Sequence, residues 1–211
     1  HANGTFFRVF HKYVSDTEGM EDPFMVLYFM DRTDVEVAVR ECADARPVFC
    51  IIRIDNMSEV TSEMTDVERS SLLSDVTEKV LSYFNERDGF IKQYNDTDFV
   101  ACISHKALVE MMEHNFDILD TVRAIHTVNR IPVTLSIGVA QIDDTFAKQY
   151  DEAQVSLDLA LGRGGDQAIV RIGKDTKAFG GKAPTSVSST RVRVRVVAQA
   201  LKEIIEGADL V

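Results

Sequence analysis

Two short stretches hold the residues whose types and spacing could do chemistry. The first is Arg53-Ile54-Asp55-Asn56, and the second runs from Lys92 to Asn95-Asp96-Thr97-Asp98-Phe99. The carboxylates Asp55, Asp96 and Asp98 could hold one divalent ion, because hard cations take oxygen ligands. The same acids also fit a plainer role as solvated turn residues that cap strands, and Lys92 fits a surface strand. A third stretch, Gly162-Arg163-Gly164-Gly165, has the look of a phosphate-cradling loop. It lacks the lysine and hydroxyl residue of a P-loop and follows a helix instead of opening one, so it reads as a helix stop. His105, His114 and His126 are 9 and 12 residues apart, not at the i, i+4 spacing of a metal-binding helix pair. The cysteines Cys42, Cys50 and Cys102 form no CxxC pair, which gives no zinc signature and fits a reducing compartment. Cys50 and Cys102 sit on apolar strands and are expected to be core thiols.

These residues must be positioned by a globular chain. Its 211 residues are 45% hydrophobic and 27% charged, enough to bury a core and too apolar for disorder throughout. Acids outnumber bases 34 to 23, and the net charge of −11 argues against a general nucleic-acid binder. The charge is uneven: residues 171–211 carry +4 and the first 170 carry −15. No apolar run approaches the ~20 residues of a membrane span, and no signal peptide is visible.

Phe6–Phe10 and Phe24–Met30 are expected to form strand, turn and strand, with Gly19 and Pro23 near the turn, and Thr33–Arg46 a helical connector. Val48–Ile54 reads as a buried strand, and Thr65–Phe84 as an amphipathic helix capped by Thr65 or Asp66. Phe90–Tyr94 and Phe99–Ile103 read as paired strands. Ala107–Val128 is expected to be one helix, Pro132–Ala140 a strand, Tyr150–Leu161 a helix ended by glycines, and Gln167–Ile172 a last strand. Phe179-Gly180-Gly181 and the Pro/Ser/Thr-rich stretch 183–190 read as loop or linker. Arg191–Ile205 has helical spacing, with Val194, Val197, Ala198, Leu201, Ile204 and Ile205 on one stripe, although its start, Arg191-Val192-Arg193-Val194-Arg195, alternates and could instead be a strand; the smooth continuation to Ile205 favours the helix. Alternating strands and helices imply helices packed on a sheet.

Thr134-Leu135-Ser136-Ile137-Gly138-Val139-Ala140 resembles the T-x-S-I-G-V-A strand of GGDEF domains. Arg53–Ser58 sits where that family has D-[LI]-D-x-F-K, Asn95–Phe99 where it has its signature, and Ala153–Leu161 where it has its final helix. Leu157-Asp158-Leu159-Ala160-Leu161-Gly162-Arg163-Gly164-Gly165-Asp166-Gln167 looks more specifically like the GdpP type of cyclic-di-AMP phosphodiesterase, as do Phe179-Gly180-Gly181-Lys182 and Thr190–Val196. The resemblance implies an α+β fold, the nucleotide-cyclase-like (ferredoxin-type) palm, with a central antiparallel sheet and helices packed on it. It implies a protein with membrane helices, a PAS domain, a degenerate GGDEF domain and a catalytic DHH/DHHA1 pair. Residues 1–31 would be the last PAS strands, 32–46 the connector, 47–174 the degenerate GGDEF domain, and 175–211 a linker and helix leading to the DHH domain. No D-H-H triplet occurs in this chain.

By the same resemblance, Arg53 replaces a metal-binding aspartate, so a cation is repelled where a cyclase needs one. Asn95 and Asp96 replace the paired glycines that let backbone approach a nucleotide. Thr61 and Ser70 replace the base-contacting Asn and Asp. Diguanylate cyclase activity is therefore not expected. The resemblance does imply weak ATP hydrolysis with magnesium or manganese, for which Asp55, Asp96 and Asp98 are the candidate ligands and Lys92 the phosphate contact. Manganese would serve the DHH domain. Other expected partners are the PAS and DHH/DHHA1 domains of the same protein and a second copy of it, since connectors between sensory and output domains often pair. The expected location is the cytoplasmic face of the bacterial membrane, with relay of a signal from PAS to DHH as the role.

Overall fold

The computed structural model describes residues 4–14 and 24–180. The chain divides into two compact units, the first ending at Arg46 and the second beginning at Pro47.

In the first unit, β1 (Phe7–Val14) and β2 (Phe24–Asp31) pair antiparallel, Phe7 opposite Asp31. The expected turn at Gly19 and Pro23 lies outside the described residues. α1 (Thr33–Asp44) follows and buries none of its side chains. Phe7 and Phe29 meet edge to face on the ribbon, and Arg40 stacks over Phe6.

The second unit is a six-stranded sheet in the order β4-β5-β3-β6-β7-β8. The strands are β3 (Pro47–Ile54), β4 (Phe90–Gln93), β5 (Asp98–Ser104), β6 (Leu135–Gln141), β7 (Gln167–Ile172) and β8 (Asp175–Gly180). Only β6 and β7 run parallel. The first four strands in space, with their helices, make the ferredoxin-like β-α-β-β-α-β unit.

Strand alternation divides the side chains between two faces. Cys50, Ile52 and Ile54 enter the larger core with Leu72, Val76, Val80 and Phe84 of α3 (Asp66–Asn85). The same core takes Leu108 and Met111 of α4 (His105–Glu113), and Leu119 and Val122 of α5 (Ile118–Arg123). α3 begins with a capping box: Thr65 accepts from the Glu68 N–H, and Glu68 reaches back to the Thr65 N–H. The other face carries Ile51, against Ala153 and Leu157 of α6 (Phe146–Gly162). Gly138 makes this contact possible, because a Cβ there would lie 2.2 Å from the Ala153 carbonyl oxygen and 2.3 Å from the Leu157 nitrogen.

Three expectations change, and one element is added. The helix expected over 107–128 is two helices. Asn115 and Phe116 adopt positive φ, which turns the chain and sends Phe116 into the core. A one-turn helix, α2 (Met57–Val60), buries Met57 and Val60 in a stretch to which no element was assigned. α6 starts at Phe146, four residues early, because Thr145 caps it by accepting from the Lys148 N–H. The stretch after Gly173, read as linker from 175, first forms β8. Gly173 has φ +58, and with Lys174 it turns the chain back so that Ile172 pairs with Asp175. Phe179 packs against the larger core and meets the Phe116 ring. The segments 183–190 and 191–205 lie outside the described residues.

Candidate functional site

The backbone register places one row of residues across the whole sheet. Arg53 pairs with Asp98 on one side and Ser136 on the other, Ser136 with Gln167, and Gln167 with Gly180. The Tyr94 N–H extends the row by donating to the Asp98 carbonyl. All these residues belong to the face that carries α6.

Asp98 is buried and fully engaged. Its Oδ1 accepts from Arg53 Nε at 2.5 Å, and its Oδ2 accepts from Asn95 Nδ2 at 2.8 Å and from the Thr97 hydroxyl at 3.4 Å. Asn95 Oδ1 in turn accepts from the backbone N–H groups of Thr97 and Asp98. This is an Asx turn, in which a short polar side chain satisfies backbone donors that the hairpin leaves open. Asn95, which sequence reasoning treated only as an obstacle to nucleotide, therefore builds the turn. Burial alone would lower the pKa of Arg53, but the hydrogen bond and charge of Asp98 leave it raised. Asp158 of α6 adds a weaker favourable charge. Burial, followed by the nearby Asp98 charge, raises the Tyr94 phenol.

Asp55 lies two residues past Arg53 and serves a different loop. Its Oδ2 accepts the Asp166 N–H at 2.9 Å, 111 residues away in sequence. Gly165 is required beside it: φ is +75, and a Cβ would sit 2.7 Å from Asp55 Oδ2. Although the residue is partly exposed, Oδ1 is shut off from solvent and receives no well-formed hydrogen bond; the hydroxyls of Ser136 and Thr134 lie close enough to favour its ionised form. Burial pushes the Asp55 carboxyl up to about 6, against the opposing effect of the Asp166 N–H. The Asp166 carboxylate, also buried, is gripped through both oxygens by one terminal nitrogen of Arg123, at 2.7 and 2.8 Å. Gln167 completes the turn by donating to the Ala160 and Gly165 carbonyls. The glycine-rich stretch thus ends α6, with Gly164 and Gly165 both at positive φ.

The remaining sequence candidates are dispersed. Lys92 is exposed on β4, opposite Val100. Asp96 is exposed at the hairpin turn, where its carbonyl accepts from Gln93. Thr61 donates to the Met57 carbonyl in α2, and Ser70 is exposed on α3. His105 pairs with Gln141 at 2.7 Å, His114 with the Glu110 carbonyl, and His126 is exposed. Among the described residues, no three His, Cys, Asp or Glu side chains are grouped to hold a metal ion. Cys50 is buried, but Cys102 is only half-buried, because alternation points it to the α6 face beyond that helix's reach. Arg123 was missed by sequence reasoning, and nothing in its neighbours marks it. Asn56 was passed over as well. Its side chain donates to the Pro132 carbonyl and accepts from the Thr134 N–H, which ties the end of β3 to the start of β6.

The family model for the GGDEF domain of cyclic-di-AMP phosphodiesterase GdpP-like proteins matches residues 52–179. The cyclic-di-AMP phosphodiesterase PdeA of Listeria monocytogenes is 37% identical over 188 residues, covering 88% of this chain and 28% of the relative. The cyclic-di-AMP phosphodiesterase GdpP of Bacillus subtilis is 37% identical over 182 residues, covering 85% and 28%. The chain therefore spans just over a quarter of the length of these relatives. Among solved structures, the active GGEEF domain of a Vibrio cholerae diguanylate cyclase superposes with a TM-score of 0.51 at 16% identity, covering 64% of this chain and 88% of that one. A diguanylate cyclase/phosphodiesterase from Caldicellulosiruptor saccharolyticus gives 0.53 at 14% identity, covering 68% and 85%. At these identities the likeness speaks for the fold alone. Among the described residues, no helix is long and apolar enough to cross a membrane.

Proposed function

This chain belongs to the family of GdpP-like GGDEF domains, and on that premise we propose that it is the regulatory palm of a membrane-anchored cyclic-di-AMP phosphodiesterase. In this reading it makes no cyclic-di-GMP and relays a signal from a preceding sensor to a following catalytic unit. The observation that carries the proposal is the Arg53–Asp98 ion pair. By the family resemblance, Arg53 stands where a cyclase has a metal-binding aspartate and Asp98 where it has a glutamate. Here the guanidinium supplies the positive charge that a divalent ion would supply, from inside the chain. A carboxylate already holding a guanidinium and an amide has little left to offer magnesium.

Two measurements test this. The purified 211-residue chain, given GTP with magnesium or manganese, is expected to form no cyclic-di-GMP, and given cyclic-di-AMP to release no linear dinucleotide. Turnover of either overturns the corresponding half of the proposal. In the full-length phosphodiesterase, Arg53→Ala is expected to change the rate of cyclic-di-AMP hydrolysis several-fold at a distance. An unchanged rate removes the relay.

Weak metal-dependent ATP hydrolysis is the second reading. It is favoured by one observation, the solvent-shielded Asp55 Oδ1 that lacks a well-formed hydrogen bond. ATP turnover by the purified chain that disappears in Asp55→Asn supports it. Turnover indifferent to that substitution points to a contaminant.

A further inference from the structure

β8 lies at one edge of the sheet and pairs only with β7. All of its residues are exposed except Phe179, which is half-buried. Beyond the β7 ladder, its hold is concentrated in its last two residues. The Phe179 ring meets the Phe116 ring with centroids 5.3 Å apart. Gly180 sits in a notch so close that a Cβ there would lie 2.6 Å from Leu119 Cδ1 and 3.0 Å from the Asp166 carbonyl oxygen. At the other end, the turn at Gly173 and Lys174 is pinned to β6, because the Gly173 N–H donates to the Gln141 carbonyl at 2.8 Å. Elements with few buried contacts open before the body of a fold.

One wall of the notch is the α6–β7 turn, and that turn is held from outside itself. Asp55 accepts the Asp166 N–H, and Arg123 grips the Asp166 carboxylate. Arg123 stands one turn after Leu119 on α5, so one helix supplies both the second wall of the notch and the grip on the first. Asp55 is fixed in turn at the end of β3. Its N–H donates to the Thr134 carbonyl at 2.9 Å, and the preceding Ile54 N–H donates to the Thr97 carbonyl, also at 2.9 Å. Hydrogen bonds therefore run from the β4–β5 turn beside Arg53, through the end of β3, to the Asp166 turn that seats Gly180. The approach of Gly180 to the Asp166 carbonyl is too close for either side to shift without the other.

We propose that β8 and the Asp166 turn form one latched strap. It opens as a unit about the Gly173–Lys174 turn while the other strands stay folded, and Asp55 and Arg123 are the latch. Residues 181–211 follow the strap directly in sequence. A pull or a contact on them acts on the latch first, and the latch passes it to the end of β3, where Arg53 stands. The proposal rests on the fold and stands whether or not the relay reading holds, because the strap can open without transmitting anything.

Native-state hydrogen exchange of the 211-residue chain tests it. In the wild type, the protected amides among 176–180 and the Asp166 amide are expected to share one opening, about tenfold or more as frequent as the one that exposes β3. Gly180→Ala and, separately, Asp55→Ala are expected to speed exchange at 176–180 by about fivefold or more. In Asp55→Ala the decisive amides are 176–180, since the Asp166 amide loses its acceptor outright. Ile52→Val, in the larger core and two strands away from β8, is expected to speed β3 exchange several-fold and leave 176–180 unchanged. Arg123→Lys serves as the second latch variant if Asp55→Ala does not fold. Amides of 176–180 as slow as those of β3 in the wild type overturn the proposal. So does exchange at 176–180 that the latch variants leave unmoved, and so does exchange there that Ile52→Val speeds as much as they do.

Discussion

Arg53 and Asp98 face each other across the β3–β5 ladder, and the guanidinium Nε donates to the carboxylate Oδ1. The pair lies where the resemblance would put a metal ion, so removing the guanidinium should do two things. Arg53→Met should cost about 1–3 kcal/mol, because a buried carboxylate loses its cation. Arg53→Asp should bind manganese at least tenfold more tightly than the wild type, measured by calorimetry. Equal affinity in the two proteins would show that Asp98 is no remnant of a metal site.

Asp55 should make stability fall as the pH rises. Its folded pKa, about 6, is above the ordinary 3.8, so between these values the folded state keeps a proton that the unfolded state has lost. Stability contributed by the protonated form is present below pH ~4 and lost as the pH passes ~6. Relative to Asp55→Asn, the wild type should lose up to about 3 kcal/mol over that window. Urea unfolding of both proteins from pH 4 to 7.5 checks this, and a constant difference would refute the assignment.

Gly165→Ala should destabilise by about 1–3 kcal/mol, for two separable reasons. The positive φ strains any side chain, and the new methyl meets Asp55 Oδ2. In an Asp55→Ala background only the strain should remain, so the cost should fall to about 1 kcal/mol. A double-mutant cycle with no coupling would mean that the two residues do not touch.

Gly138→Ala should be worse, at about 3 kcal/mol or more, since backbone atoms of α6 occupy the space and cannot rotate away. A melting temperature within a degree of the wild type would contradict the close seating of α6 on β6.

Arg123→Met should cost about 3–5 kcal/mol by stripping the guanidinium from the buried Asp166 carboxylate. Restoring the charge with Lys should recover only part of this, because one ammonium cannot bridge Asp166 and Asp120 as the two terminal nitrogens of Arg123 do. Chemical denaturation of the three proteins gives the comparison.

Most of the second unit could be read from periodicity. The β-branched run at Val48–Ile54 became the buried β3, and the 3.6-residue spacing after Thr65 became α3, capped by Thr65, one of the two candidates. The break between α4 and α5 could not be read, because the apolar spacing continues smoothly through Asn115 and Phe116. Only the need to bury Phe116 beside Phe179 turns the chain there. β8 was hidden for a related reason: Lys177, Ala178 and Phe179 carry a weak strand signal, and pairing with β7 supplies the rest.

The sequence by itself determined the fold family, through the strand at 134–140 and the run at 157–167, and it located Arg53 in a place unsuited to cyclase chemistry. Those are local patterns, and local patterns survive in a linear string. The tertiary structure decided what each carboxylate does. It gave Asp98 to Arg53 and Asn95, gave Asp55 to a loop 111 residues away, and left Lys92 and Asp96 in solvent. A carboxylate's role depends on which donor reaches it first and how much water is excluded. Both depend on strand register and helix seating, which no spacing along the chain encodes.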